Sequence, residues 1–163
     1  MRNTRIINEK ILTREQAAMK ISAARVSGKT VAFTNGCFDI LHEGHIFSLS
    51  QAAQEADLLV VGVNSDASVK RLKGNERPIN NEHSRAHMLA ALVLVDMVVV
   101  FEEDTPLELI TALKPDILVK GGDYTIEQVV GAKEVISLGG RVIINPLVPG
   151  YSTTGIIEKI RHL

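Results

Sequence analysis

From residue 31 onward, short apolar runs alternate with segments whose apolar residues recur every three or four positions. The runs at 31–34, 58–63, 98–101, 117–119 and 142–144 have the length and the Val, Ile and Leu content of buried strands. Segments 44–55, 66–72, 82–95, 105–113 and 126–138 have helical spacing, and a last helix starts near Ser152. Thr105 is placed as the cap of the fourth of these, with Pro106 at its first position. Ahead of the first strand, Thr13 and Gln16 have the spacing of a capping box. Ala17, Ile21 and Ala24 then share one face, and Gly28 closes the segment. Apolar strands alternating with helices predict an α/β, doubly wound parallel sheet with helices on both faces, plus an N-terminal helix. The chain reads as one domain over 1–163, with a helical extension at 1–28 and a core over 29–163.

Length and charge narrow the classes of function. The 163 residues, 45% hydrophobic and 23% charged, suit one globular domain. A net charge of -1 gives no argument for nucleic acid or a membrane surface as partner. The longest apolar stretch, 88–101, is interrupted by Asp96 and is too short to span a bilayer. Residues 1–5 are not followed by the apolar stretch of a signal peptide, so a cytoplasmic setting is expected. The single cysteine, Cys37, excludes an internal disulfide and a multi-cysteine metal site. An aromatic content of 4%, without tryptophan, argues against stacking on single-stranded nucleic acid.

In sheets of this kind a ligand sits outside the carboxyl ends of the strands. The polar clusters at 34–39, 64–66 and 120–123 fall there. The first leads through Asn35-Gly36-Cys37-Phe38-Asp39-Ile40-Leu41-His42-Glu43-Gly44-His45 into a helix. Two imidazoles three residues apart at a helix start can face one site, and Gly44 lets a phosphate approach the backbone. The helix start adds free N–H groups and a positive dipole end for an anion. Chance and a metal pair are the competing readings; the spacing is not that of a His-Glu-x-x-His site. Ser152, Thr153 and Thr154 open the last helix either as an N-cap, which needs one hydroxyl, or as a phosphate cradle. Lys120-Gly121-Gly122-Asp123 is a strand-end turn in which Lys120 could meet a phosphate and Asp123 a sugar hydroxyl or base edge. The basic loop from Lys70 to Arg77 is either a solvated face or a clamp over the site, with Arg85 able to join it.

Gly36, Phe38, Asp39, His42, Gly44 and His45 after the first strand, with Ser152 to Thr154 on a late helix, resemble the cytidylyltransferase-like nucleotidylyltransferase superfamily. The chain is most similar to the adenylyltransferase domain of ADP-heptose synthases, through 33–36, 63–68, 70–74, Arg77-Pro78, 101–106 and 120–124, and the resemblance extends over nearly the whole chain. The resemblance implies a Rossmann-like fold and the reaction of ATP with D-glycero-β-D-manno-heptose 1-phosphate, giving ADP-heptose and pyrophosphate with Mg²⁺, for lipopolysaccharide core assembly. It implies a stand-alone form, a homo-oligomer, that works with a separate heptose kinase and phosphatase. It places His42, His45, Lys73, Arg77 and Lys120 in catalysis. Thr34, Asn35, Gly36, Phe38, Gly44, Asp123, Ser152, Thr153 and Thr154 fall to the nucleotide, Asn64, Asp66 and Arg85 to the sugar phosphate, and Asp39 to Mg²⁺. A cytidylyltransferase acting on an alcohol phosphate such as glycerol 3-phosphate, and a nucleotide-binding module without turnover, stay open beside it.

Overall fold

A computed structural model describes residues 5–163. The reading of residues 1–4, as part of the extension and as lacking a leader, lies outside the described residues. Six parallel strands form one sheet in the order β1-β4-β3-β2-β5-β6. They are β1 (Ile11–Leu12), β2 (Val31–Gly36), β3 (Leu58–Asn64), β4 (Met97–Phe101), β5 (Ile117–Gly121) and β6 (Arg141–Asn145). The helices are α1 (Ile6–Lys10), α2 (Arg14–Val26), α3 (Glu43–Ala53), α4 (Asp66–Lys73), α5 (Glu82–Ala90), α6 (Leu107–Leu113), α7 (Ala132–Ser137) and α8 (Thr153–Arg161).

Both faces of the sheet are covered, which is why its strands are apolar throughout rather than alternating. Ala17 and Ile21 of α2, Leu109, Ile110 and Leu113 of α6 and Val135 of α7 pack on one face against Val31, Phe33, Val60, Val99 and Leu118. Leu49 and Ala52 of α3 and Leu89 and Ala90 of α5 cover the other, against Ala32, Leu59, Val61, Val98 and Val119. The doubly wound parallel sheet expected from the sequence is therefore present. Among the described residues no helix is long and apolar enough to cross a membrane.

The chain winds outward from β2 through β3 to β4, then returns to the other side of β2 to lay down β5 and β6. The winding reverses between β2 and β5, and the crevice outside their carboxyl ends is where such sheets bind ligands.

Several local expectations change. The segment before Gly28 is more than a helix: Ile11 and Leu12 form an edge strand paired with Val98 and Val99 of β4. Two residues carry no readable periodicity, so the strand is set by its neighbour. The capping box is present, with Gln16 N donating to Thr13 Oγ1 at 3.2 Å and Thr13 N to Gln16 Oε1 at 3.0 Å. The helix expected over 126–138 is a 3-10 turn, Ile126–Gln128, followed by α7. They are parted at Gly131, which has φ +87 and lies so close to Ile110 that a Cβ would stand 2.6 Å from its Cδ1. The segment expected to be helical to residue 95 stops at Ala90, and Pro106 precedes α6 as its cap rather than opening it.

Candidate active site

β2 ends at Gly36, and residues 37–42 carry the chain into α3. Charged side chains fix this connection from beneath. Asp39, 1% exposed, accepts from Arg77 Nε at 2.6 Å, from Ile79 N at 2.9 Å and from Asn80 N at 2.8 Å. Burial acts to raise its pKa, but these donors outweigh burial and leave it below the usual carboxylate range. Arg85, 0% exposed, donates from Nη1 to Cys37 O at 2.5 Å, from Nε to Asn80 O at 2.9 Å and from Nη2 to Asp66 Oδ1 at 2.8 Å. Asp39 holds the loop through Arg77 and two backbone N–H groups, and Arg85 and Asp66 are buttresses of the same loop. These contacts could not be read from the sequence, because burial is set by tertiary packing.

The loop delivers His42 as the N-cap residue of α3 and His45 one turn later. Their rings stack with centroids 3.8 Å apart and planes 22° apart. Phe38, at φ 48, sets its ring 5.4 Å from that of His45. Nδ1 of each imidazole is buried without a hydrogen-bond partner. Burial, reinforced by the neighbouring His42, pushes the His45 pKa down to about 4; burial also lowers that of His42. Both rings are therefore neutral near pH 7, each with one N–H to donate. Gly44 between them is closely enclosed: a Cβ would stand 3.1 Å from the His42 ring and from Tyr151 Cβ.

A cavity of about 230 Å³ opens over these groups. Thr34, Asn35, Gly36, Phe38, His42, Gly44, His45 and Lys120 line it, so the structure brings together eight of the eighteen residues the sequence singled out. Cys37, Ser48, Gly121, Leu147, Val148 and Tyr151 complete its walls, and of these only Cys37 and Gly121 lie in clusters that the sequence placed at the ligand end of the sheet, with no role of their own. Ser48 lies three residues beyond His45 on α3, a spacing that puts both on one face. The aliphatic pair and Tyr151 come from an aperiodic loop that carries no such signal. A second cavity of about 340 Å³ adjoins it and shares Asn35, Gly36, Cys37 and Lys120. Asn64, Leu72, Asp104, Thr105, Tyr124 and Gln128 line its far side. Asn64, buried, donates from Nδ2 to Ser68 Oγ at 3.0 Å.

Lys120 thus stands at the seam. Burial lowers its pKa, and its ammonium lies 5.8 Å from the Tyr124 ring centroid. Among the described residues, no carboxylate forms an ion pair with it. Asp123 is exposed and lines neither cavity. Ser152 is the cap of α8, its Oγ accepting from Gly155 N at 3.0 Å. Thr154 instead faces a groove shared with Lys73 and Arg77. No Asp or Glu lines the first cavity, and among the described residues no cluster of three His, Cys, Asp or Glu side chains could hold a metal. The side chains present do not form a protein cage for Mg²⁺.

Comparison with known proteins agrees with this geometry. The profile of the cytidylyltransferase-like family matches residues 33–159. Bifunctional protein HldE of Trichlorobacter lovleyi is 59% identical over 153 residues, which are 94% of this chain and 31% of that protein. HldE of Syntrophotalea carbinolica is 60% identical over 153 residues. The chain thus spans about a third of the length of these relatives. The crystal structure of the lipopolysaccharide core biosynthesis protein from Thermoplasma volcanium is 32% identical. It superposes with a TM-score of 0.59, covering 74% of this chain and 98% of that one. Pantoate-beta-alanine ligase from Francisella tularensis, 15% identical with a TM-score of 0.59 over 94% of this chain and 78% of that one, shares the fold. The chain belongs to the cytidylyltransferase-like family, and its chemistry is nucleotidyl transfer.

Proposed function

We propose that the protein transfers AMP from ATP to D-glycero-β-D-manno-heptose 1-phosphate, giving ADP-heptose and pyrophosphate for lipopolysaccharide core synthesis. The observation that carries a two-substrate transfer is the pair of adjoining cavities with Lys120 between them. The heptose acceptor rests on the sequence likeness to adenylyltransferase domains of ADP-heptose synthases, and on identity near 60% with HldE proteins. The heptose 1-phosphate would come from kinase and phosphatase steps upstream.

In this reading ATP occupies the cavity over the imidazoles and the sugar phosphate the second cavity. A phosphate oxygen of the sugar attacks the α-phosphorus in line. The bond from that phosphorus to the oxygen bridging to the β-phosphate breaks, and pyrophosphate leaves. Such a transfer needs positioning and charge stabilisation rather than a covalent nucleophile. His42 and His45 enter neutral, and each imidazole supplies its one N–H to oxygens on which charge builds. Lys120 meets the acceptor phosphate and the α-phosphate together, and this draws back the proton affinity that burial removes. Lys73, Arg77 and the hydroxyls of Thr153 and Thr154 flank the leaving group.

Pyrophosphate release over four nucleotides and a panel of sugar and alcohol phosphates tests the assignment. Turnover is expected only with ATP and heptose 1-phosphate together. Equal or faster turnover with CTP and glycerol 3-phosphate overturns the heptose assignment and leaves nucleotidyl transfer intact.

A further inference from the structure

Two imidazoles on α5 stand apart from the crevice and line neither cavity. His83 and His87 are four residues apart, about one helical turn, and so share a face. Their rings meet edge to face with centroids 4.4 Å apart. His83 is exposed and His87 half-buried. Arg85, Ala86, Leu89 and Ala90 take the buried face of the same helix, which turns the pair toward its outer side.

A third donor comes from the N-terminal segment. α1 packs on α5, with Ile7 against the core cluster that holds Leu89 and Ala90. Its neighbour Asn8, exposed, sets Oδ1 2.6 Å from His87 Nε2. Two imidazoles and an amide oxygen therefore meet at the surface, drawn from two separate helices. No carboxylate or thiol belongs to the group, so its chemistry is that of nitrogen ligands.

We infer that His83, His87 and Asn8 bind a divalent transition metal ion of the zinc class. Two histidines at this spacing on one helix face can both reach a zinc ion, and imidazole suits zinc, nickel and copper, whereas Mg²⁺ takes oxygen ligands. Two imidazoles on one zinc, with bonds of about 2.1 Å, have ring centres about 5 Å apart, close to the spacing here. The ion lies between His87 Nε2 and Asn8 Oδ1, in place of the hydrogen on the line that joins them. His87 carries its proton on Nδ1 instead, so the neutral imidazole binds without releasing one. The exposed His83 ring turns about χ2 to present a nitrogen, and water fills the fourth position. Bound metal fastens α1 to α5, and with it the segment that leads into β1. The site is independent of which nucleotide or acceptor the crevice takes.

Zn²⁺ titration of the whole chain, stripped of metal by a chelator, tests this by calorimetry and thermal melting. The proteins are wild type, His83→Ala, Asn8→Ala and His42→Ala. Wild type is expected to bind Zn²⁺ at micromolar concentration and to melt at a higher temperature in its presence. His83→Ala is expected to bind about tenfold or more weakly, because one of two tethered ligands is gone, and to lose the thermal gain. Its circular dichroism should match wild type, since the side chain is exposed. Asn8→Ala is expected to weaken binding by a smaller factor, and His42→Ala to leave it unchanged. A wild type that takes up no Zn²⁺ overturns the inference without any variant having to fold. So does undiminished affinity in folded His83→Ala. Binding that vanishes in His42→Ala but survives in His83→Ala also overturns it, and moves the ion to the imidazoles of the crevice.

Discussion

Arg77 Nε and Asp39 Oδ2 meet at 2.6 Å across 38 residues of chain, tying the basic loop to the segment that presents the histidines. The Asp39 side chain is fully enclosed and that of Arg77 is 15% exposed. Removing one member of such a pair leaves the other charge buried and unanswered. Asp39→Ala is therefore expected to lower stability by about 3 kcal/mol in denaturant titration, with or without Mg²⁺. A variant that keeps its stability and instead needs more Mg²⁺ for turnover would return Asp39 to the metal.

The stacked imidazoles give a separable effect. His42→Ala and His45→Ala are each expected to reduce turnover by about a hundredfold, the scale of losing one transition-state donor. Their far-ultraviolet circular dichroism should match wild type, because both side chains border a cavity rather than fill the core. A folded His45→Ala protein with near-normal pyrophosphate release removes His45 from the chemistry.

His45 also sets an acid limit on stability. Its pKa falls from the ordinary 6.5 to about 4 in the folded chain, through burial and then through His42. Between those values the unfolded chain holds a proton that the folded chain does not, so stability declines as pH drops through the window. Above it the group contributes no pH dependence, and below it both states are protonated. The melting temperature is expected to fall from pH 6.5 to 4, and to fall less in His45→Asn. Superimposable profiles for the two proteins would show that the imidazole is not withheld from water.

At α8 the cap is Ser152, whereas the proposed cradle is Thr153 and Thr154. Ser152→Ala removes the bond to Gly155 N and is expected to cost about 1 kcal/mol, with little change in ATP affinity. Thr153→Asp and Thr154→Asp place a carboxylate beside the phosphates and are expected to weaken ATP binding sharply, whereas Asn at either position does so only mildly. Both substitutions favour a helix start, so thermal melting should change little. Matching ATP affinity for the Asp and Asn forms would confine the cluster to capping.

The sheet and most of the first cavity were legible because their signals are local. Buried parallel strands read as apolar runs, and the histidines, Gly44 and the hydroxyl cluster sit at fixed offsets from strand or helix ends. What was hidden is what packing decides. Asp39, Asp66 and Arg85 are charged residues close to a motif, and nothing in their spacing shows that Asp39 pairs with Arg77 and Asp66 with Arg85 beneath the loop. Leu147, Val148 and Tyr151 reach the cavity because the return from β6 to α8 folds across it, a path without periodicity. Ser48 could have been found from its offset to His45.

The two-residue strand β1 changes where this protein can be cut. β4 would otherwise end the sheet on that side with its peptide groups open, and such an edge is a template for pairing with another molecule. Ile11 and Leu12 cover it, and α2 behind them seals Ala17 and Ile21 into the core. A chain trimmed to begin at Gly28 keeps every residue that lines the two cavities, yet it is expected to clump rather than stay dispersed. Ile11, Leu12 and α2 thus shield the edge of the sheet that carries the chemistry.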